Sequence, residues 1–532
     1  MSPAAAGLGA AQPREIPSRA MSKQTSLPTT LDAFNPEMQD RDADTRSHGE
    51  MSRRRFLKSS AAGLVAGAVA TGTALPGQPL TQTDAVPAGS GTNGHRILLK
   101  GGIVLTMDPK LGDFEKADVL IEGKKILAVG PNLQAAAEVI DATDRIVMPG
   151  FIDTHHHQYQ AVLRGIIPDA LLNEDYYRVI NNPGALTSFY RPEDAYAGEL
   201  LASVGQIRAG VTTAVDLSQV SHSPEHTDAC IAGLKEAGRR TVFGLSAGQG
   251  PASQYPQDIA RLRSQFFSSE DQLLTLALHA GLDAKLWELG RKAGAPIISH
   301  ANNTMAAAQL ETLGHAGLMG PDNEYIHCTH FSATTWQMTQ DTGGKVSIAP
   351  AIEMTEGHGM PAIQATLDHG IRPSLSTDVE AVMTADLFTV MRTAITLQRM
   401  QINERRSSGE KNLPALLTCQ DVLEFATIEG ARVAHLDHKV GSLTPGMEAD
   451  IVMLRTDDSN VFPLNNAPGA VVMLMDTGNV DTVFIAGKIM LSKGRLVGVD
   501  LRKLRRLADR ARDGILARAG YRRNLLNTCC PR

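Results

Sequence analysis

The sequence predicts an α/β chain, a (β/α)8 TIM barrel with a small β-sandwich domain formed from both ends of the chain. Three observations lead there. Between residues 148 and 439, apolar strand-like runs alternate with helical stretches, the pattern of parallel βα units. Short alternating segments before 148 and after 440 are each too small to bury a core alone, so they are expected to pair. Histidines and an acid stand where the predicted strands stop, on the face that carries the active site of such barrels.

In chain order, 1–95 reads as leader and linker. Residues 1–50 are rich in Ala, Pro, Ser, Asp and Arg without periodicity and are expected to be disordered. Ser52-Arg53-Arg54-Arg55-Phe56-Leu57-Lys58 then precedes a small-residue apolar stretch, the layout of an export signal. The competing readings are a short buried helix or an anchor, but the stretch falls short of the roughly 20 apolar residues a span requires. Met21 and Met51 are alternative starts.

Residues 96–147 read as the first part of the sandwich. Ile97–Leu105 leads in, Asp118–Ile126 carries a hairpin turn, and Val139-Ile140-Asp141 and Ile146-Val147 follow. The second part, 440–498, repeats the texture in Ala449–Leu454 and Thr482–Ile489. The barrel, 148–439, has eight candidate strands: Phe151–Asp153, Thr212–Val215, Thr241–Phe243, Leu274–Leu278, Pro296–Ile298, Tyr325-Ile326, Val346–Ile348 and Pro373–Leu375. In the extension 499–532, Leu501, Leu504, Leu507, Ala511 and Ile515 recur at helical spacing among arginines. A helix packed on the domain is preferred there over one lying on a membrane surface.

Composition narrows the function. The 532 residues are 42% hydrophobic and 20% charged, with a net charge of −6, so nothing suggests nucleic acid as a partner. The five cysteines include no CxxC pair, which argues against a disulfide framework or a structural zinc site. Beyond the leader no stretch is apolar enough to span a membrane, so the mature form is expected to have no stable span.

The chemistry gathers at strand ends. Strand one ends Asp153-Thr154-His155-His156-His157; residues two apart face the same side, so His155 and His157 can converge while His156 points away. Strand five ends Ser299-His300, strand six His327-Cys328-Thr329-His330, and strand eight Thr377-Asp378. A lone strand histidine is more often structural than a ligand, but the ordered set at one end of four strands favours a site. Three imidazoles and one carboxylate suit a single borderline divalent ion, zinc first and iron(II) second.

Two stretches resemble the amidohydrolase superfamily. Pro149-Gly150-Phe151-Ile152-Asp153-Thr154-His155-His156-His157 is similar to its strand-one signature, and Pro445-Gly446-Met447-Glu448-Ala449-Asp450-Ile451-Val452 to its re-entry into the sandwich. Leu163-Arg164-Gly165 and His327-Cys328 resemble the branch of cytosine deaminases, guanine deaminases and triazine hydrolases. The resemblance implies one metal on His155, His157, His300 and Asp378, with His327 touching the reacting group. Asp378 and His327 are the catalytic candidates. It also implies a small-molecule substrate and, as relatives are often dimers or larger, a homo-oligomer. Ser52–Lys58 likewise resembles the bacterial twin-arginine signal, which implies the twin-arginine translocation machinery as a partner and a periplasmic or extracellular location.

Two comparisons within the resemblance qualify it. Dinuclear branches bridge two metals with a carboxylated lysine at the end of strand four. Here that strand ends Leu278-His279-Ala280-Gly281, and Lys285 lies beyond. Deaminases of the branch place a proton-shuttling glutamate three residues after the strand-five histidine, where this chain has Asn303. Glu353 and Glu380 are the candidate replacements, each also readable as a solvated or substrate-orienting carboxylate. Glu353–Gly359 further resembles the substrate loop of Glu-Met/Leu-x-x-Gly-His-Gly amidohydrolases, which puts His358 at the pocket. Arg164, Asn303, Glu353, His358 and Glu380 are therefore the substrate-binding candidates. The segment Arg164–Arg191, with Tyr176, Tyr177, Phe189 and Tyr190, is expected to cover the pocket.

The expected activity is hydrolysis of a non-peptide C–N bond (amide, urea or amidine type) by metal-hydroxide attack. The alternative is an aminohydrolase of a heteroaromatic ring. A non-catalytic binding relative and a dinuclear lactonase or phosphotriesterase are the more distant readings.

Overall fold

Two sheets, one closed and one open, organise residues 94–526, the part of the chain that the computed structural model describes. The export-signal segment Ser52–Lys58, Cys529 and Cys530 lie outside the described residues.

The open sheet starts with β1 (Arg96–Val104), β2 (Phe114–Glu122), β3 (Lys125–Gly130), β4 (Glu138–Asp141) and β5 (Arg145–Pro149). The closed sheet follows with β6 (Phe151–His156), β7 (Val211–Asp216), β8 (Arg240–Leu245), β9 (Leu274–His279), β10 (Ile297–His300), β11 (Asn323–Ile326), β12 (Lys345–Ile348) and β13 (Ser374–Leu375). The chain then returns to the open sheet as β14 (Ile451–Arg455), β15 (Val480–Ile485), β16 (Lys488–Ser492) and β17 (Arg495–Leu496).

β14 runs antiparallel to β5, with Ile451 opposite Pro149 and Arg455 opposite Arg145, and so joins the two ends of the chain. Their shared core takes Ile97, Val119 and Ile121 from the first part and Ile451, Met453 and Phe484 from the second. The expected β-sandwich is one nine-stranded sheet. An isolated bridge between Lys125 and Glu448 ties the start of β3 to the segment that leads into β14.

The junction explains both sequence signatures. Gly150 sits where β5 passes into β6, and a Cβ there would lie 2.1 Å from Thr212 Cγ2, so only glycine fits. Its N–H donates to the Asp450 carbonyl at 3.0 Å. Arg240, buried on β8, donates to Asp450 at 2.9 and 3.0 Å and to Glu448 at 2.6 Å. The acids of the second signature thus clamp the barrel to the open sheet.

All neighbouring strands of the closed sheet are parallel, and its order follows the chain from β6 to β13. The seam between β13 and β6 is joined by a bridge pairing His156 with Asp378. Asp153 reinforces it from beneath, accepting from the Thr377 N–H at 3.0 Å, the Thr377 hydroxyl and Gln206 Nε2.

The extension forms the helix Leu501–Ala519, which buries Leu504, Ala511, Ile515 and Leu516. Leu504 packs with Leu200 and Val204 of the helix Pro192–Arg208, as the packed-helix reading expects. Among the described residues no helix is long and apolar enough to cross a membrane, and Cys230, Cys328 and Cys419 are unpaired.

Candidate metal centre

At the carboxyl end of β6 the two-residue period turns His155 and His157 to one side and His156 to the other. His156 lies between Asp153 (3.9 Å) and Glu380 (3.6 Å), behind the centre. His155 and His157 meet His300 from the end of β10, and one ring nitrogen from each lies within 4.8 Å of the others. The rings of His157 and His300 stack 5.5 Å apart, 3° from parallel. From just beyond β13, Asp378 Oδ1 reaches His155 Nε2 at 3.0 Å and His157 Nε2 at 3.6 Å. Its other oxygen lies 3.7 Å from His327 Nε2. His327, Cys328 and Asp378 hold φ values of 72°, 55° and 63°, the left-handed region that non-glycine residues occupy only where packing enforces it.

Hydrogen bonds behind the rings assign their tautomers. His157 Nδ1 lies 2.8 Å from the Leu217 carbonyl and must donate to it, which leaves the Nε2 lone pair facing Asp378. Behind His300 runs a chain: the Ser246 hydroxyl donates to the Gly244 carbonyl, His279 Nδ1 meets Ser246 Oγ at 2.9 Å, and His279 Nε2 meets His300 Nδ1 at 2.9 Å. Read in that direction, each N–H donates to the next acceptor and His300 keeps Nε2 as a lone pair. His327 Nδ1 meets Glu353 Oε1 at 3.0 Å; that oxygen also accepts from the Ala349 N–H, so it is an acceptor here too.

The donor set fits a divalent cation. His155 is fully buried, and no hydrogen bond satisfies either ring nitrogen. Burial, then the neighbouring imidazoles, hold His155 and His300 well below the ordinary histidine range, and burial lowers His157 as well. Neutral imidazoles beside a carboxylate are the ligands that zinc or iron(II) takes. Burial lowers His279 and His327 to about 3.

A cavity of about 300 Å³ opens beside these groups. His157, His300, His327 and Asp378 line it, with Tyr176, Tyr177, Asn302, Glu356 and His358. The expected cover is present in part. The helical segment Leu172–Asn181 brings Tyr176 and Tyr177 to the cavity, whereas Tyr190 is buried with its hydroxyl on the Tyr159 carbonyl, and neither it nor Phe189 is among the lining residues.

Of the substrate-binding candidates, His358 lines the cavity and Glu353 lies behind His327. The other three stand elsewhere. Asn303 caps the helix Thr304–His315, accepting from the Ala306 N–H at 2.8 Å; its neighbour Asn302 is the one that lines the cavity. Arg164 and Glu380 pair with each other, and the Gly165 N–H donates to the Glu380 carbonyl at 2.9 Å, fastening the loops that follow β6 and β13. They line a separate surface hollow with Arg208 and Asp386.

Glu356 and the Ser246–His279 relay escaped the sequence reading. The Glu356-x-His358 spacing offered a signal for the first; the second is visible only once β8, β9 and β10 stand side by side.

Residues 146–490 match the model of the Amidohydrolase family. The chain is 28% identical over 443 residues to the 5'-deoxyadenosine deaminase of Methanosarcina mazei, a match covering 79% of this chain and 99% of that one. It is 26% identical over 442 residues to the 5-methylthioadenosine/S-adenosylhomocysteine deaminase of Pyrococcus horikoshii, covering 77% and 97%. The structure of an adenosine deaminase from Xanthomonas campestris with bound zinc superposes with a TM-score of 0.69 at 22% identity, covering 79% and 98%. Atrazine chlorohydrolase from Arthrobacter aurescens, complexed with zinc, gives 0.66 at 20%, covering 78% and 100%.

Proposed function

The chain belongs to the amidohydrolase family and is a hydrolase of carbon–nitrogen bonds, and from that premise we propose a one-metal enzyme in which His155, His157, His300 and Asp378 hold the ion. The observation that carries this is the convergence of His155, His157 and His300, with Asp378 reaching His155 and His157 from just beyond β13, and with a lone pair left on His157 by the Leu217 carbonyl and on His300 by the His279 relay. Zinc is the metal we assign, supported by the zinc in both structural neighbours, with iron(II) as the alternative. Lys285 stands exposed on the helix Ala284–Lys292, and the end of β9 is taken by His279, which supports one ion over two.

A divalent ion there supplies Lewis acidity and lowers the pKa of water from about 15.7 to about 7. Asp378 takes the proton of the attacking water and returns it to the departing nitrogen. His327 meets the developing charge from the other side of Asp378, held in place by Glu353. The cavity beside them gives a small molecule room to lie against these groups.

Hydrolysis of an amide, urea or amidine is the first reading. Deamination of an aminated heterocycle is the second, favoured by the activities of the sequence relatives. Zinc-reconstituted protein incubated with panels of both compound types, with released ammonia or amine followed by mass spectrometry, chooses between them. Release from neither panel by protein holding one zinc per chain would refute the assignment.

We read Ser52–Lys58 as a twin-arginine signal that sends the enzyme to the periplasm or beyond. Cell fractionation of the chain carrying Arg53→Lys and Arg54→Lys tests this: the protein should then stay in the cytoplasm, and unchanged export would reject the reading.

A further inference from the structure

Glu356 and His358 form the end of the cavity next to His327, and the catalytic scheme above gives them no role. The helix Pro350–Glu356 stops at Gly357, whose φ of 74° reverses the chain and returns His358 onto Glu356. The Thr329 hydroxyl donates to the His358 carbonyl at 2.9 Å, and the His358 N–H donates to the Glu353 carbonyl at 2.9 Å. Both side chains are almost fully buried, 2% and 3% exposed, and Glu356 Oε2 meets His358 Nε2 at 2.8 Å.

That contact uses one polar atom of each residue. The others, Glu356 Oε1 and His358 Nδ1, are buried with no hydrogen-bond partner. Buried polar atoms are almost always paired, so two neighbouring orphans on a cavity wall mark a place for a ligand. The pair offers an acceptor on Glu356 beside an imidazole nitrogen that accepts when neutral and donates when protonated. Burial pushes Glu356 up to about 7; His358, which burial alone would lower, is raised by its bond to Glu356. The His358 ring meets the His327 ring edge-on at 4.7 Å, which sets the pair beside the imidazole assigned to the developing charge.

Resting on the carbon–nitrogen hydrolase reading, we infer that Glu356 and His358 recognise an N–C–N edge on the substrate. Glu356 Oε1 accepts from an amino N–H, and His358 Nδ1 bonds the adjacent nitrogen. The substrate class is then amidine-type, open-chain or set in an aminated heterocycle. Amides place oxygen where this edge expects nitrogen.

The test is a binding measurement that needs no turnover. The probes are 2-aminopyridine, which carries the edge, and 2-methylpyridine, which keeps the ring nitrogen and the shape but lacks the N–H groups. Zinc-loaded full chain is titrated with each by NMR, alongside Glu356→Met and His358→Asn. Wild type should bind 2-aminopyridine at least tenfold more tightly, and both variants, checked for wild-type melting and zinc content, should bind the two compounds within threefold of each other. If one variant does not fold, the other decides. Equal affinities in the wild type, or a preference that survives in a folded variant, would overturn the assignment. Zinc content and product release are read separately, so a failed hydrolase reading is distinguishable from a failed recognition pair.

Discussion

Asp378 donates its backbone N–H to the carbonyl of His155 at 2.9 Å, while its carboxylate lies 3.0 Å from the Nε2 of the same residue. The His157 N–H returns to the Asp378 carbonyl at 2.8 Å. Three of the four groups assigned to the metal, His155, His157 and Asp378, are therefore ones whose main chains close the barrel. The seam sets their spacing before any ion arrives, which is what preorganisation of a site requires.

Removing a ligand should empty the site. Wild type is expected to hold one zinc per chain by elemental analysis, and His157→Ala or His300→Ala to lose most of it. His327→Asn should keep its zinc and lose roughly 10²–10⁴-fold in turnover, the range for a positioned acid–base group. Parallel loss of zinc in that variant would make His327 a ligand.

The hydrogen-bond chain behind His300 should be measurable in metal affinity. Outer partners of ligating histidines are worth about 10–100-fold in affinity. His279→Ala should weaken zinc binding by about that factor in a competition with a chelating dye, and Ser246→Ala by less, because Ser246 acts only through His279. Unchanged affinity in His279→Ala would reverse the tautomer assigned to His300.

Glu353 should leave a signature in stability against pH. Burial pushes its carboxyl from 4.5 up to about 8, against the Ala349 N–H, so the folded chain holds a proton that the unfolded chain releases. The stability linked to that proton is complete below about 4.5 and is lost as pH rises through about 8. Glu353→Gln stays neutral throughout, so its Tm minus that of the wild type should grow between pH 5 and pH 9. A constant difference would contradict the burial argument. The variant should also lower kcat more than it changes KM, since Glu353 positions His327 and is not among the cavity-lining residues.

Asn303 should behave as a helix cap. Asn303→Ala is expected to cost about 1 kcal/mol in denaturant unfolding, and Asn303→Asp to restore it, since aspartate caps equally well. Turnover of zinc-loaded Asn303→Ala should stay within about threefold of wild type. A much larger fall would return Asn303 to the chemistry.

Asp450→Ala should destabilise the chain by about 3–5 kcal/mol, because Arg240 stays buried with half its partners gone. Replacing Arg240 and Asp450 together with apolar residues should recover part of that loss in equilibrium unfolding.

Eight parallel strands, the pairing of the chain's two ends, and the placement of His155, His157, His300, His327 and Asp378 at strand ends were legible from the residues alone. These depend on local physics: apolar periodicity sets the strands, and the two-residue alternation sets which histidines face inward. What each side chain does depended on neighbours far away in the chain. Asn303 reads as a substrate-binding candidate and folds into a cap because a helix begins one residue later. Arg164 and Glu380 read as pocket residues but bond each other, 216 positions apart, once the loops after β6 and β13 are brought together. Barrel closure settled these roles, since a polar side chain serves whichever partner it brings within about 3 Å, and closure joins segments that share no local pattern.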